Sequence, residues 1–348
     1  MQAEKLINYE DKSLIRQRDI GIDIVKSIAI ISVVGVHFFL NTRFYRTNLN
    51  NLNLFIQTMI QQFFLVCIPL FVISTGYLNN TTKINKSYFK KIVPVIFIYI
   101  LYSIPALLYR YHIGEISGDI FLWIEQIFRF KGHRYSWYID LYFGLFLMIP
   151  FFNRMYNSLE SKKEKQILIG VLMLLTTATS LVNGKFIKIF HLPTYWTAIY
   201  PLTYFFLGKY IKEYTPRINV YKNIILLLVV ILFQTIVEFS VASGGEYRHY
   251  FTDYSSLARL IEAYLLFILV YKIEVKNKYT MNILVDISKI TLDIYLASFI
   301  TDRLTYKILK PYNLSQEMYL YIMIPLIAIS FIAAYAIAKL RVKFIKIK

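Results

Sequence analysis

The chain has 348 residues, of which 57% are apolar and 17% aromatic, and its mean hydropathy is +0.49. Soluble domains hold roughly 45–50% apolar residues even with glycine counted, so a pair of ordinary soluble domains is excluded, and the aromatic content excludes a disordered chain. The net charge of +18 then reads as membrane topology rather than affinity for nucleic acid.

The apolar runs are long and continuous. A β-barrel strand would alternate apolar and polar residues over about ten positions, so the expected fold class is all-α: a polytopic helical bundle in the membrane. A spanning helix needs about 20 mostly apolar residues. Ten segments meet this: 22–40, 58–78, 92–109, 137–152, 167–183, 194–210, 221–240, 256–272, 281–300 and 318–338. The stretch 115–130 alternates charge and apolarity and reads as an interfacial helix. With both termini in the cytoplasm, every cytoplasmic segment carries at least three basic residues, Lys83, Lys86, Lys90 and Lys91 among them. That is the positive-inside pattern, and it supports an even number of spans. No cleavable leader is expected, because the first apolar run is long enough to span. Residues 1–348 read as a single membrane domain, with 1–20 a cytoplasmic N-terminal segment and 339–348 a cytoplasmic basic tail. The single cysteine, Cys67, allows no internal disulfide and no cysteine-based metal site, and it reads as a core residue.

Charged residues inside spans are functional candidates, since each costs about 2.5–3.5 kcal/mol at the bilayer centre. The first helix holds Arg18, Asp23, Lys26 and His37. Lys26 and His37 are 11 residues apart, which is three turns and about 16 Å on one face. Asp23 stands three residues before Lys26, close enough to pair with it. A plainer reading has Arg18, Asp23 and Lys26 anchoring the helix end by snorkelling. His133, Arg134, Tyr135, Trp137, Tyr138 and Asp140 cluster at the start of the fourth span, on the outer side. They read as sugar-stacking aromatics with a carboxylate for hydroxyls, or as an interfacial aromatic belt. Asp140 is expected to reach His37 across helices. Asp286, Lys289 and Asp293 share a helical face and are expected to pair with one another or face the interior. Glu238 and Glu262 lie near outer helix ends, where they can meet a substrate.

Several motifs occur in order along nearly the whole chain. Arg18-x4-Asp23-x2-Lys26-x2-Ala29, followed by an apolar run to His37, resembles the opening helix of the membrane-bound acyltransferase-3 family. Pro69-Leu-Phe through Thr75-Gly76-Tyr77-Leu78 resembles the close of its second helix, with Thr75 at a serine position. Tyr88-Phe-Lys90-Lys91 through Pro94 resembles the basic opening of its third. Trp137-Tyr138 with Gly144 and Pro150, Phe206-Leu207-Gly208, and Ile294-Tyr295-Leu296 resemble later landmarks. Two positions depart: Lys26 stands where the family usually has arginine, and Ser298 where many members have a second histidine.

The best-known members O-acetylate bacterial cell-surface glycans. The resemblance therefore implies a membrane O-acetyltransferase of the bacterial plasma membrane, with acetyl-CoA as donor and a polysaccharide or lipid-linked sugar as acceptor. No metal and no nucleic acid are expected, membrane lipid is a partner, and oligomeric state is not readable. It implies His37 as general base or transient acyl carrier, with Asp23 and Lys26 as its catalytic companions, Asp23 orienting Lys26 or Arg18. Arg18, Lys26, Thr75, Tyr88, Lys90 and Lys91 are the expected donor-binding residues, and Trp137, Tyr138 and Asp140 the expected acceptor-binding ones. The alternative is a transporter or flippase for a glycan precursor or lipid, which also needs intramembrane charges.

Overall fold

The computed structural model describes residues 18–182, 191–242 and 253–347. The expected cytoplasmic segment before Arg18 lies outside the described residues. All regular structure among the described residues is helical: α1 (Ile20–Asn41), α2 (Leu52–Phe64), α3 (Cys67–Leu78), α4 (Lys86–Lys90), α5 (Ile92–His112), α6 (Ile120–Phe128), α7 (Trp137–Asn157), α8 (Lys162–Thr176), α9 (Thr179–Val182), α10 (Tyr200–Tyr214), α11 (Val220–Ala242), α12 (Leu257–Val270), α13 (Lys278–Lys289), α14 (Thr291–Leu309) and α15 (Tyr319–Phe344). Polar side chains start many of them. Asn51 accepts from the Leu54 amide at 3.0 Å, Asn85 from Tyr88 at 2.7 Å, and Ser256 from Arg259 at 3.2 Å. Ser161 and Glu164 form a reciprocal capping box.

Among the described residues each of the ten expected segments overlaps an α-helix, although the sixth becomes α-helical only from Tyr200. Among the described residues, 6 helical stretches are long and apolar enough to cross a membrane: Ile20–Arg46, Leu52–Leu78, Lys86–His112, Lys162–Leu181, Val220–Ala242 and Gln316–Phe344. The other four expected segments fall on α7, α10, α12 and the α13–α14 pair. α10, α12 and α13 are shorter, α12 and α14 carry charge buried among the surrounding helices, such as Arg259, Glu262 and Asp302, and α7 is diluted by Asp140, Asn153 and Arg154. α6 has no buried residue, in keeping with a helix lying beside the bundle.

The segment 58–78 is broken. α2 ends at Phe64 and α3 begins at Cys67. Pro69 explains the break: it has no N–H for the Leu65 carbonyl, and its ring crowds that carbonyl. The loosened end is held by Arg259 of α12, whose guanidinium donates to the Gln62 carbonyl at 2.5 Å and to Gln62 Oε1 at 2.6 Å. Arg259 also pairs with Glu262, and Gln234 of α11 donates to Glu262 at 2.7 Å. Glu262 and Glu238 are both fully buried. Glu262 therefore serves this internal network rather than meeting a substrate at a helix end.

The segment 281–300 is also divided, between α13 and α14 at Ile290. Asp286 and Asp293 thus do not share one straight face with Lys289. Each pairs with α15 instead. Lys339 Nζ lies 2.7 Å from Asp286 Oδ2, and Arg341 Nε donates to Asp293 at 2.6 Å.

α1 is the axis of the bundle. It packs against α2, α3, α12, α13, α14 and α15 and is buried on nearly every turn. α3 and α10 cross closely because glycine permits it. A Cβ on Gly76 would overlap the Phe205 carbonyl oxygen, and one on Gly208 would overlap the Ile73 carbonyl oxygen. The two glycines thus answer each other across one contact, the small-residue packing common between membrane helices.

Candidate active site

α1 places Lys26 and His37 at the edges of two adjoining cavities. The first, about 260 Å³, is lined by Lys26, Phe71, Thr75, Leu78, Asn79, Tyr138, Tyr142 and Thr291, among others. The second, about 240 Å³, is lined by His37, Asn41, Cys67, Arg134, Tyr135, Trp137, Tyr254 and Arg303, among others. Val33, Ile68 and Tyr295 line both, so the chambers share a wall. Val33 is one turn before His37 on α1, which brings the imidazole close to that wall.

His37 is 5% exposed and is held from four directions. Its Nδ1 lies 3.1 Å from Asp302 Oδ2 and 3.2 Å from Ser298 Oγ, both on α14. Its ring stacks on Tyr135, with centroids 3.6 Å apart and planes 18° from parallel. Asn41 donates to the His37 carbonyl at 2.8 Å and to the Tyr135 hydroxyl at 2.7 Å. Ser298 gives its own proton to the Tyr295 carbonyl at 2.7 Å, so toward His37 it is an acceptor. The other Asp302 oxygen accepts from Ser330 of α15. Every neighbour of Nδ1 is thus an acceptor. The proton sits on Nδ1 and the Nε2 lone pair is left to act as a base, the logic of a carboxylate-held catalytic histidine.

The expected residues divide between these sites and the surface. Lys26 lines the first chamber and has no hydrogen bond or ion pair among the described residues. Of its two expected partners, Asp23 meets Arg18 and not Lys26. It is buried and accepts two bonds from Arg18, at 2.6 and 2.7 Å. Thr75 lines the Lys26 chamber, with its hydroxyl on the Phe71 carbonyl at 2.8 Å. Tyr88 does not reach it. Its ring stacks on Phe146, and its hydroxyl donates to the Phe146 carbonyl at 2.6 Å. Lys90 and Lys91 are exposed and line neither chamber. Trp137 borders the His37 chamber and stacks on Tyr254 at 5.6 Å, whereas Tyr138 borders the Lys26 chamber. Asp140 is exposed and lines neither. The carboxylate that meets His37 is Asp302, so the expected Asp140–His37 pair does not form.

Asp302, Arg303 and Lys209 carried no signal in the sequence, whereas Ser298 and His133 stood out there without a link to His37. Asp302 and Ser298 follow Tyr295 at seven and three residues, a helical stripe readable only once Tyr295 is known to face α1. Arg303 is on the same turn. Lys209 of α10 is fully buried and donates to Asn80 Oδ1 at 2.9 Å and Asn153 Oδ1 at 2.7 Å. It ties the 79–82 loop to α7 and α10 rather than facing a chamber. His133, in the loop before α7, is buried at the rim of the site, and burial, with the nearby His37 and Arg110, pushes its imidazole down to about 3. It stays neutral and is not a second acid.

The fold and the site define a class: a multi-pass helical membrane protein with back-to-back chambers and a carboxylate-held imidazole near their common wall. The family model described as an acyltransferase domain matches residues 19–339. The chain belongs to the acyltransferase-3 family and is a membrane acyltransferase. No curated protein and no solved structure matches it.

Proposed function

We propose that the protein moves an acetyl group from acetyl-CoA, on the cytoplasmic side, to a hydroxyl of a cell-surface polysaccharide or its lipid-linked precursor, on the outer side of the plasma membrane. The observation that carries this reading is the wall shared by the Lys26 and His37 chambers. Family membership makes the chemistry acyl transfer, and two chambers whose shared wall includes Val33, one turn from His37, let donor and acceptor approach from opposite ends. Lys26 is a cation without a partner among the described residues, suited to a donor phosphate or to the polarised thioester carbonyl. In the reaction, His37 Nε2 takes the proton of the acceptor hydroxyl. The hydroxyl oxygen bonds to the thioester carbon, the carbon–sulfur bond breaks, and the CoA thiolate recovers the proton from the imidazolium. Asp302 holds the ring and stabilises its positive charge while the proton is on it.

The test is CoA release by protein in nanodiscs, wild type beside His37→Ala, with acetyl-CoA and an envelope glycan extract. Release that needs both His37 and the extract supports the reading. Folded protein that binds no acetyl-CoA and releases none overturns it. The broken α2–α3 helix is a feature that transporters also show. Flux of a lipid-linked sugar without CoA release would select that second reading.

A further inference from the structure

The His37 chamber contains two guanidinium groups and, among the described residues that line it, no carboxylate. Arg303 is the more telling. It makes no ion pair among the described residues, and its Nε is buried without a hydrogen-bond partner. Its guanidinium lies 5.5 Å from the centre of the Phe299 ring, one turn back on α14, and this contact holds it in place. Asp302 and Arg303 are adjacent on one helix, so their side chains diverge by about 100°. One goes to His37 and the other to the chamber. Arg134 stands opposite, on the loop before α7. Its carboxylate partner is Glu115, at 3.1 Å, which also lies 3.5 Å from Arg110. Among the described residues that one carboxylate serves both guanidiniums. At about 240 Å³ the chamber is smaller than the roughly 300–1,000 Å³ of pockets that enclose a whole drug-sized ligand, so it takes one residue of a polymer at a time.

A half-buried guanidinium with unused donors is costly unless a ligand satisfies it, and its planar fork matches a carboxylate or phosphate. Resting on the acyltransfer reading, we infer that the acceptor is anionic: the sugar acylated at His37, or its immediate neighbour, bears a carboxylate or phosphate that Arg303 grips, with Arg134 adding to the field at the entrance. Trp137 and Tyr254 supply the apolar side of the same chamber, against which the face of a sugar ring can rest.

The experiment measures CoA release stimulated by an envelope glycan extract in three forms: untreated, carboxyl-reduced and dephosphorylated. With wild type, one treatment is expected to lower kcat/KM for the extract about 10- to 100-fold, the effect of losing a charged hydrogen-bond pair, and which treatment does so identifies the anion. Stimulation by the untreated extract is expected to weaken with salt. Arg303→Gln is expected to raise KM for the untreated extract and to erase the difference between the forms, while Arg303→Lys retains part of it. Equal stimulation of wild type by all three forms overturns the inference and leaves acyl transfer standing. No His37-dependent release with any form overturns both. The wild-type comparison needs no variant, so a poorly folding Arg303→Gln does not blunt the test.

Discussion

The two chambers are similar in size, at about 260 and 240 Å³, and share three side chains, yet they are built differently. The Lys26 chamber is lined mainly by aliphatic and aromatic groups, with Thr75, Asn79 and Thr291 and one charge, Lys26, among its described lining. The His37 chamber is crowded with fixed polar groups: an imidazole braced by a carboxylate, two guanidiniums and an amide. The first is suited to a slender, largely apolar arm, such as the acyl-bearing end of a thioester donor. The second is preorganised for a polar acceptor and for moving a proton. The difference shows where binding energy and chemistry are separated. One helix, α1, supplies a residue to each chamber, and the helices around it specialise the two ends.

The sharpest way to break this division is His37→Ala. Losing the base is expected to lower turnover about 10²- to 10⁴-fold while acetyl-CoA binding persists, because the Lys26 chamber does not include His37. Parallel loss of binding would show that the chambers are one site. The second is Val33→Phe, in the common wall. Filling that wall should hold the thioester short of His37, and misplacement of about 1 Å can cost about 10²-fold in rate. The expected signature is a fall in kcat with donor affinity retained, in protein whose thermal midpoint confirms that overpacking of about 1–3 kcal/mol has not unfolded it. Equal loss of affinity would place the transfer elsewhere. Third is Asp302→Asn. The amide keeps the size but removes the charge and can present an N–H to Nδ1, so kcat is expected to drop about 10- to 100-fold with little change in KM.

Much of the scaffold was legible because apolar length is a local property. Among the described residues each of the ten expected segments overlaps a helix. The departures came where a single residue outweighs composition. Pro69 splits 58–78, and the turn at Ile290 splits 281–300. The pairing of Lys26 and His37 on one face followed from helical spacing alone. Asp302 did not, because its meeting with His37 depends on the rotation of α14 against α1, which no local pattern encodes. Lys90 and Lys91 show the limit of pattern: a cation that satisfies topology and one that binds a ligand look alike in sequence, and these two lie at the surface and line neither chamber. Gly76 and Gly208 stand in motifs that suggested the family, and their visible task is to let α3 and α10 touch. Ser298, at a position where the resemblance suggested a second histidine, accepts from the first one instead.

The mildest test bears on the quieter chamber. Lys26 is the only charged side chain among the described residues lining it, and Asp23, one expected partner, is taken by Arg18. If the lysine serves the donor, Lys26→Gln should remove one charge-assisted hydrogen bond and raise the KM for acetyl-CoA about tenfold, leaving kcat near wild type. Lys26→Arg should restore most of the affinity, since it returns the charge, although a planar fork replaces a compact ammonium. Added salt should weaken binding to wild type more than to Lys26→Gln. If Lys26 only anchors the helix end, both variants would lower the thermal midpoint and leave KM unmoved. A fall in kcat at constant KM would instead place the ammonium beside the thioester carbonyl in the transition state, and the Lys26 chamber would then take part in the chemistry as well as the binding.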